Sequence, residues 1–278
     1  MMQPNLREPR SKRFAPYFAQ KELLPFETIE KNGKKYIIQE NYVGYLTAIG
    51  VEIKDERSIH QLHEKGNFGI GYLSKDIPEF SDKRRSLSNF DEINEDGECQ
   101  QHCQETSLSS KNQYETLYLM FEEAFFLSYG LGCLIVKESN KELSISEMWK
   151  KFCWLALDGR FPCKYIAYHY FRSKGWIVKS GLKYGTDFVL YKDGPAFYHS
   201  TYCVVVREVS SDFNEQSLTW LELLSLNRVN EHVAKDTLLC YVMKNKDTDL
   251  LDPSCIPTFN IQEVLLRRWI PSEEREDN

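Results

Sequence analysis

The chain has 278 residues, 42% of them hydrophobic and 27% charged, which is globular composition with length enough for two domains, one with a full-sized core. A net charge of −6 excludes a nucleic-acid grip that works through overall charge, so a local basic patch or a basic partner subunit would have to do that work. No apolar run approaches the length of a membrane span, and the eight cysteines follow no repeating spacing, as fits buried free thiols in a reducing, intracellular compartment.

Residues 1–25 contain four prolines among basic and polar side chains and are expected to form an irregular basic arm, with no apolar segment that would make it a secretory signal. A small α/β unit is expected over 26–75. Lys35–Gln39 and Tyr42–Ile53 read as strands, followed by a short helix capped by Asp55 or Ser58 and ended at Gly66. His60 and His63 stand at i, i+3, but nothing nearby completes a metal site. Gly66, Gly69 and Gly71 fall short of a phosphate loop, because the order is wrong and no helix opens after them. They read as turn glycines.

From 76 to 112 polar residues dominate without periodicity, as in a disordered linker. It contains Cys99, His102 and Cys103, one ligand short of a structural zinc site.

A second domain is expected over 113–270, ahead of a charged tail at 271–278. Tyr114–Tyr129 reads as a helix with an apolar face of Leu117, Met120, Phe121, Ala124, Phe125 and Tyr129. Ser144 and Glu147 have capping-box spacing and open a helix with Ile145, Met148, Trp149, Phe152 and Cys153 on one face. Lys164–Lys174 is a third helix, ended by Gly175, in which His169 reads as a packed or surface histidine. Thr219 and Glu222 open a fourth, reaching about Asn227, and strands follow at Thr237–Met243 and Phe259–Ile270. The order predicts an α+β fold with a mixed sheet flanked by helices.

The chemistry concentrates between Lys183 and Val206. Thr186–Tyr191 and Tyr198–Val206 are β-rich runs joined by the turn residues Lys192–Pro195. Tyr191 ends the first run, His199 follows the turn, and Lys235 comes later. A phenol and an imidazole can act as base and acid on either side of one phosphorus, and a lysine can neutralise charge on its equatorial oxygens. RNA brings its own nucleophile in the 2′-hydroxyl. A tyrosine base, with an ordinary pKa of about 10, needs a neighbouring cation such as Lys235.

Three stretches, YHYFRSKGW (168–176), GLKYGTDFVLY (181–191) and GPAFYHSTYCV (194–204), resemble the catalytic domain of the tRNA-splicing endonucleases. The likeness is to the eukaryotic catalytic subunit assigned to the 5′ splice site, because Gly185-Thr186-Asp187 stands where the 3′-site subunit has Gly-Gly-Asp. It runs from about Tyr114 to Trp269, and more weakly through KGNFGIGYLSK (65–75) in the N-terminal unit.

The resemblance implies a small N-terminal α/β unit followed by an endonuclease-like catalytic domain. It implies metal-independent, cofactor-free cleavage of intron-containing pre-tRNA, leaving a 2′,3′-cyclic phosphate and a 5′-hydroxyl. Tyr191 would be the base, His199 the acid and Lys235 the transition-state cation. Arg228 and Trp269 would sandwich a nucleotide by cation–π stacking at the partner subunit's site. Each could instead be structural, Trp269 packed on the sheet and Arg228 at a helix end. The partners implied are a second catalytic subunit and two structural subunits in a heterotetramer, joined partly through the strand at Ile261–Ile270, which could equally be an internal edge. The location implied is the nucleus or the cytosolic face of mitochondria. The competing readings are a structural, RNA-scaffolding subunit without activity and a generic RNA- or peptide-binding module.

Overall fold

The computed structural model describes residues 8–12, 23–31, 34–38, 40–71, 115–210, 218–244 and 249–267. In chain order the elements are strands β1 (Glu27–Lys31), β2 (Lys34–Ile38), β3 (Tyr42–Leu46) and β4 (Val51–Ile53), helix α1 (Glu56–His60), strands β5 (Ile70–Gly71) and β6 (Leu117–Leu119), helix α2 (Phe121–Phe125), strands β7 (Leu134–Glu138) and β8 (Lys141–Glu142), helices α3 (Ile145–Leu155) and α4 (Phe161–Ser173), strands β9 (Ile177–Ser180), β10 (Phe188–Tyr191) and β11 (Tyr202–Ser210), helix α5 (Trp220–His232), and strands β12 (Asp236–Lys244) and β13 (Asn260–Leu266). The fold is α+β, as expected.

The break between domains does not fall at 113. Strands from both sides of residues 72–114 build one six-stranded sheet in the order β5-β6-β4-β3-β7-β8. Leu117 and Leu119, expected on a helix, alternate with Tyr118 as a strand, both leucines buried against β4 in the pairs Ile53↔Leu117 and Val51↔Leu119. A three-residue strand carries too little local pattern to outweigh the helical composition after it; only its distant partners make it extended. Helix α2 follows from Phe121, with Glu123 accepting from the Met120 N–H at 3.0 Å. The cap of α1 is Asp55, whose carboxylate accepts from the Ser58 N–H at 2.9 Å. The linker and its Cys99, His102 and Cys103 lie outside the described residues.

The five-stranded sheet has the order β13-β12-β11-β10-β9. Ser144 caps α3 and Thr219 caps α5, each in a capping box as the spacing required, and α5 runs on past Asn227 to His232. Phe125 meets Trp149, Phe161 and Tyr165 edge to face, as Trp149 meets Phe161 and Tyr165, with centroids 4.7–6.0 Å apart, so α2, α3 and α4 share one aromatic core. His169 is packed in this region, with its ring edge-on to Phe126 and Nδ1 3.0 Å from the Tyr165 hydroxyl. Cys133, Cys153, Cys163, Cys203, Cys240 and Cys255 are all free thiols, five of them buried.

The two faces of the five-stranded sheet have different covers. Val178, Phe188, Leu190, Tyr202 and Val204 belong to the main core with Tyr168 and Phe171 of α4. Ile177, Val189, Cys203 and Leu239 are buried on the opposite face. There α5 packs on β12, and Asn230 Nδ2 donates to Thr237 Oγ1 at 2.9 Å.

Candidate active site

The register of three strands brings the expected catalytic residues to one end of this sheet. Leu190 pairs with Tyr202 across the antiparallel β10–β11 ladder, and Tyr202 pairs with Asp236 across the parallel β11–β12 ladder. One residue further out stand Tyr191, Thr201 and Lys235. Thr201 ties this row together: its N–H donates to the Leu190 carbonyl at 2.9 Å and its carbonyl accepts from the Asp236 N–H at 3.1 Å. His199 lies two residues before Thr201, on the lead-in to β11. With strands about 4.8 Å apart, the backbones at Tyr191 and Lys235 are roughly 10 Å from each other, a gap that a phosphodiester and two side chains can fill.

Alternation also decides the face. Ile177 and Tyr191 are paired, and Val189, Cys203 and Thr237 continue that face across the sheet. Tyr191, two residues beyond Val189, is therefore on the α5 side, away from the main core. Lys235 enters the same side, two residues before Thr237. Its side chain is buried, with Nζ donating to the Val233 carbonyl at 3.2 Å and lying 4.5 Å from the centroid of the Tyr184 ring. The positive φ of 55° at Ala234 makes the turn that delivers Lys235 from α5 into β12. Burial pushes the thiol of Cys203 up to about 11, against the pull of the Lys235 charge.

His199 is not on a strand, contrary to the expected run from Tyr198. The connection from β10 to β11 spans 192–201, and only from Tyr202 does β11 pair with β10. The reason is a competing partner. Residues 197–199 bond to the N-terminal arm, Lys12 N–H to the Phe197 carbonyl at 2.7 Å and His199 N–H to the Arg10 carbonyl at 3.0 Å, around a β-bridge between Ser11 and Tyr198. This part of the arm, expected to be irregular, is paired.

Two supports of the site were not visible as such in the sequence. Asp187 of the Gly-Thr-Asp segment is a brace: its carboxylate accepts from the Val206 N–H at 2.8 Å and pairs with Arg160 at 3.3 Å and Lys164 at 3.4 Å. It locks β10 and β11 to the start of α4. The turn glycines around Asn67 form the other support. Arg172 donates to the Leu23 and Gly66 carbonyls at 2.9 and 3.3 Å, with its guanidinium 4.2 Å from the Phe68 centroid, and Lys179 donates to the Gly69 carbonyl at 2.7 Å. The loop so held abuts Gly194, where a Cβ would come within 2.9 Å of Asn67 Nδ2.

Arg228 is exposed on α5, the helix that leads to Lys235. Trp269 lies outside the described residues.

Comparison with known proteins follows this architecture. The model of the tRNA intron endonuclease N-terminal domain matches residues 42–149, and that of the catalytic C-terminal domain matches 161–250. The tRNA-splicing endonuclease subunit Sen2-1 of Arabidopsis thaliana is 36% identical over 163 residues, covering 58% of this chain and 67% of that protein. The chain belongs to the tRNA intron endonuclease family. The rat tRNA-splicing endonuclease subunit Sen2 is 44% identical over 170 residues, or 59% of this chain, and the probable Schizosaccharomyces pombe sen2 subunit is 29% identical over 238 residues, or 72% of it. The chain spans about a third of the length of the rat relative, 36%, and 60% of that of the fission yeast one. The N-terminal match ends within α3 and the catalytic match begins at the start of α4, after the six-stranded sheet is complete.

Proposed function

We propose that this chain is a catalytic subunit of a tRNA-splicing endonuclease and cuts intron-containing pre-tRNA at the 5′ splice site. The observation that carries the proposal is the row across β10, β11 and β12, which sets Tyr191, the His199 lead-in and Lys235 at one end of one sheet. Tyr191 takes the proton of the ribose 2′-hydroxyl, which attacks the adjacent phosphorus. His199 gives a proton to the departing 5′-oxygen, and the products are a 2′,3′-cyclic phosphate and a 5′-hydroxyl. Lys235 stabilises the charge that builds on the equatorial oxygens. A buried, preoriented ammonium is worth more there than in water, because no solvent has to reorganise around it.

The subunit acts within a complex with a second catalytic subunit and two structural ones. β13 is an edge strand of the five-stranded sheet and carries a neighbour only on its β12 side among the described residues, which suits strand pairing with another chain. Arg228, exposed on α5, and Trp269 stack on a nucleotide at the partner subunit's site, since guanidinium and indole hold a base without reading its identity.

The test is cleavage of intron-containing pre-tRNA by the reconstituted complex. His199→Ala is expected to abolish 5′-site cutting while leaving 3′-site cutting, and Arg228→Ala with Trp269→Ala to do the reverse. Intact 5′ cutting by the His199 variant would reject the catalytic reading in favour of a scaffolding subunit.

A further inference from the structure

The N-terminal arm meets the His199 loop in an arrangement that does more than brace it. Around the Ser11–Tyr198 bridge the strands are antiparallel, so Arg10 stands opposite His199 and Lys12 opposite Phe197. Residues opposite each other in such a pair share a face. Arg10 and Lys12 are both exposed. On the other side of the same segment, Lys192 is exposed and its Nζ lies 5.5 Å from the centroid of the Tyr198 ring. Three cations thus surround the tripeptide that carries His199. Residues 8–12 and 192–199 hold these three cations against two carboxylates, Glu8 and Asp193, on a chain of net charge −6.

We propose that the strap Arg10-Ser11-Lys12 is a phosphate-binding wall of the active site. It receives the phosphodiester backbone of the RNA strand that passes His199, while its own backbone sets the position of the His199 loop. The inference rests on the functional reading above and gives that reading the local basic patch which overall charge denies it. The chemistry fits: guanidinium and ammonium groups neutralise phosphates without reading sequence, as a splice-site enzyme acting on many tRNAs requires. The two main-chain bonds of the strap fall on Phe197 and His199 themselves, so the backbone that carries the cations is tied to the backbone that carries the imidazole.

The phosphate role is read by equilibrium binding of pre-tRNA to the reconstituted complex carrying His199→Ala and a catalytically inactivated second subunit, so that the RNA is cut at neither site. Adding Arg10→Ala and Lys12→Ala is expected to weaken binding about 10-fold and to make the dependence of log affinity on log salt shallower by about 1.4, the loss of two single-strand phosphate contacts. An unchanged affinity and slope overturns it. The backbone role is read by comparing Lys12→Pro with Lys12→Ala, which differ in the N–H given to Phe197. Single-turnover cleavage at saturating RNA is expected to be at least 5-fold slower for the proline variant, and equal rates overturn that role. If the complex with the native chain does not cut pre-tRNA at all, the functional reading fails, and the binding experiment still judges the strap.

Discussion

The ammonium of Lys235 lies 4.5 Å from the centroid of the Tyr184 ring and donates to the Val233 carbonyl. The sequence pairs Lys235 with Tyr191 as the cation that makes a tyrosine base workable; the fold adds a second tyrosine that holds the cation. The lysine is 3% exposed, so its orientation is set before substrate arrives. Tyr184→Leu keeps an apolar neighbour and removes the ring's negative face, worth about 1–2 kcal/mol for a desolvated cation. The expected outcome is a 5′-site cleavage rate lower by about 5- to 30-fold at saturating RNA. Tyr184→Phe keeps the ring and is expected to stay near the native rate. Equal losses in the two variants would assign the effect to the hydroxyl.

Gly194 makes a second prediction. Its φ of 110° is one that side-chain-bearing residues avoid, and a Cβ there meets the Asn67 carboxamide at 2.9 Å. Gly194→Ala is expected to destabilise the protein by about 1–3 kcal/mol, read as a lower denaturation midpoint. Adding Asn67→Ala relieves the contact and leaves the backbone strain, so the double variant should recover only part of the loss. Full recovery would show that the contact alone is responsible.

Asp187 separates brace from catalyst. Asp187→Ala leaves Arg160 and Lys164 without their shared carboxylate and the Val206 N–H without its acceptor. Lys164 keeps Asp158 and Arg160 is a third exposed, so the loss is mainly that of an acceptor for a buried N–H, about 1–3 kcal/mol. The expected signature is a lower unfolding midpoint, with 5′ cleavage per folded molecule reduced far less than by His199→Ala. A stable variant with no cleavage would place Asp187 in the chemistry instead.

These contacts also show what could be read from the sequence and why the rest could not. Ser144 with Glu147 and Thr219 with Glu222 were legible because a capping box closes within four residues. Tyr191, His199 and Lys235 stood out as candidates because their residue types and the resemblance agreed. The pairing of Ile53 with Leu117, which moves the domain division, joins residues on either side of 72–114 and leaves no local trace. The same holds for the Ser11–Tyr198 bridge: nothing within the arm marks it as a strand, since one bridge needs no β-rich run. Asp187 stood inside a recognised motif, yet its role depends on Arg160 and Lys164, which only the packing of α4 brings near.

Glu122 gives the protein a pH dependence of stability. Glu122 is half-buried at the start of α2, and desolvation there raises its carboxyl from 4.5 to about 7, outweighing the opposing pull of its backbone hydrogen bond and of Lys164. A raised carboxyl pKa means that the folded chain holds the proton more tightly than the unfolded one. Between about pH 4.5 and 7 the unfolded chain has released that proton and the folded chain retains it, so this group's contribution to stability falls as pH rises through the window and levels off above it. Glu122→Gln removes the titration and keeps the shape. The variant is expected to match the native chain near pH 4.5 and to exceed it at pH 8 by on the order of 1–3 kcal/mol, measured by urea unfolding at each pH. A variant less stable than the native chain at pH 8 would mean that the ionised carboxylate is stabilising through its attraction to Lys164, and that burial is the smaller effect.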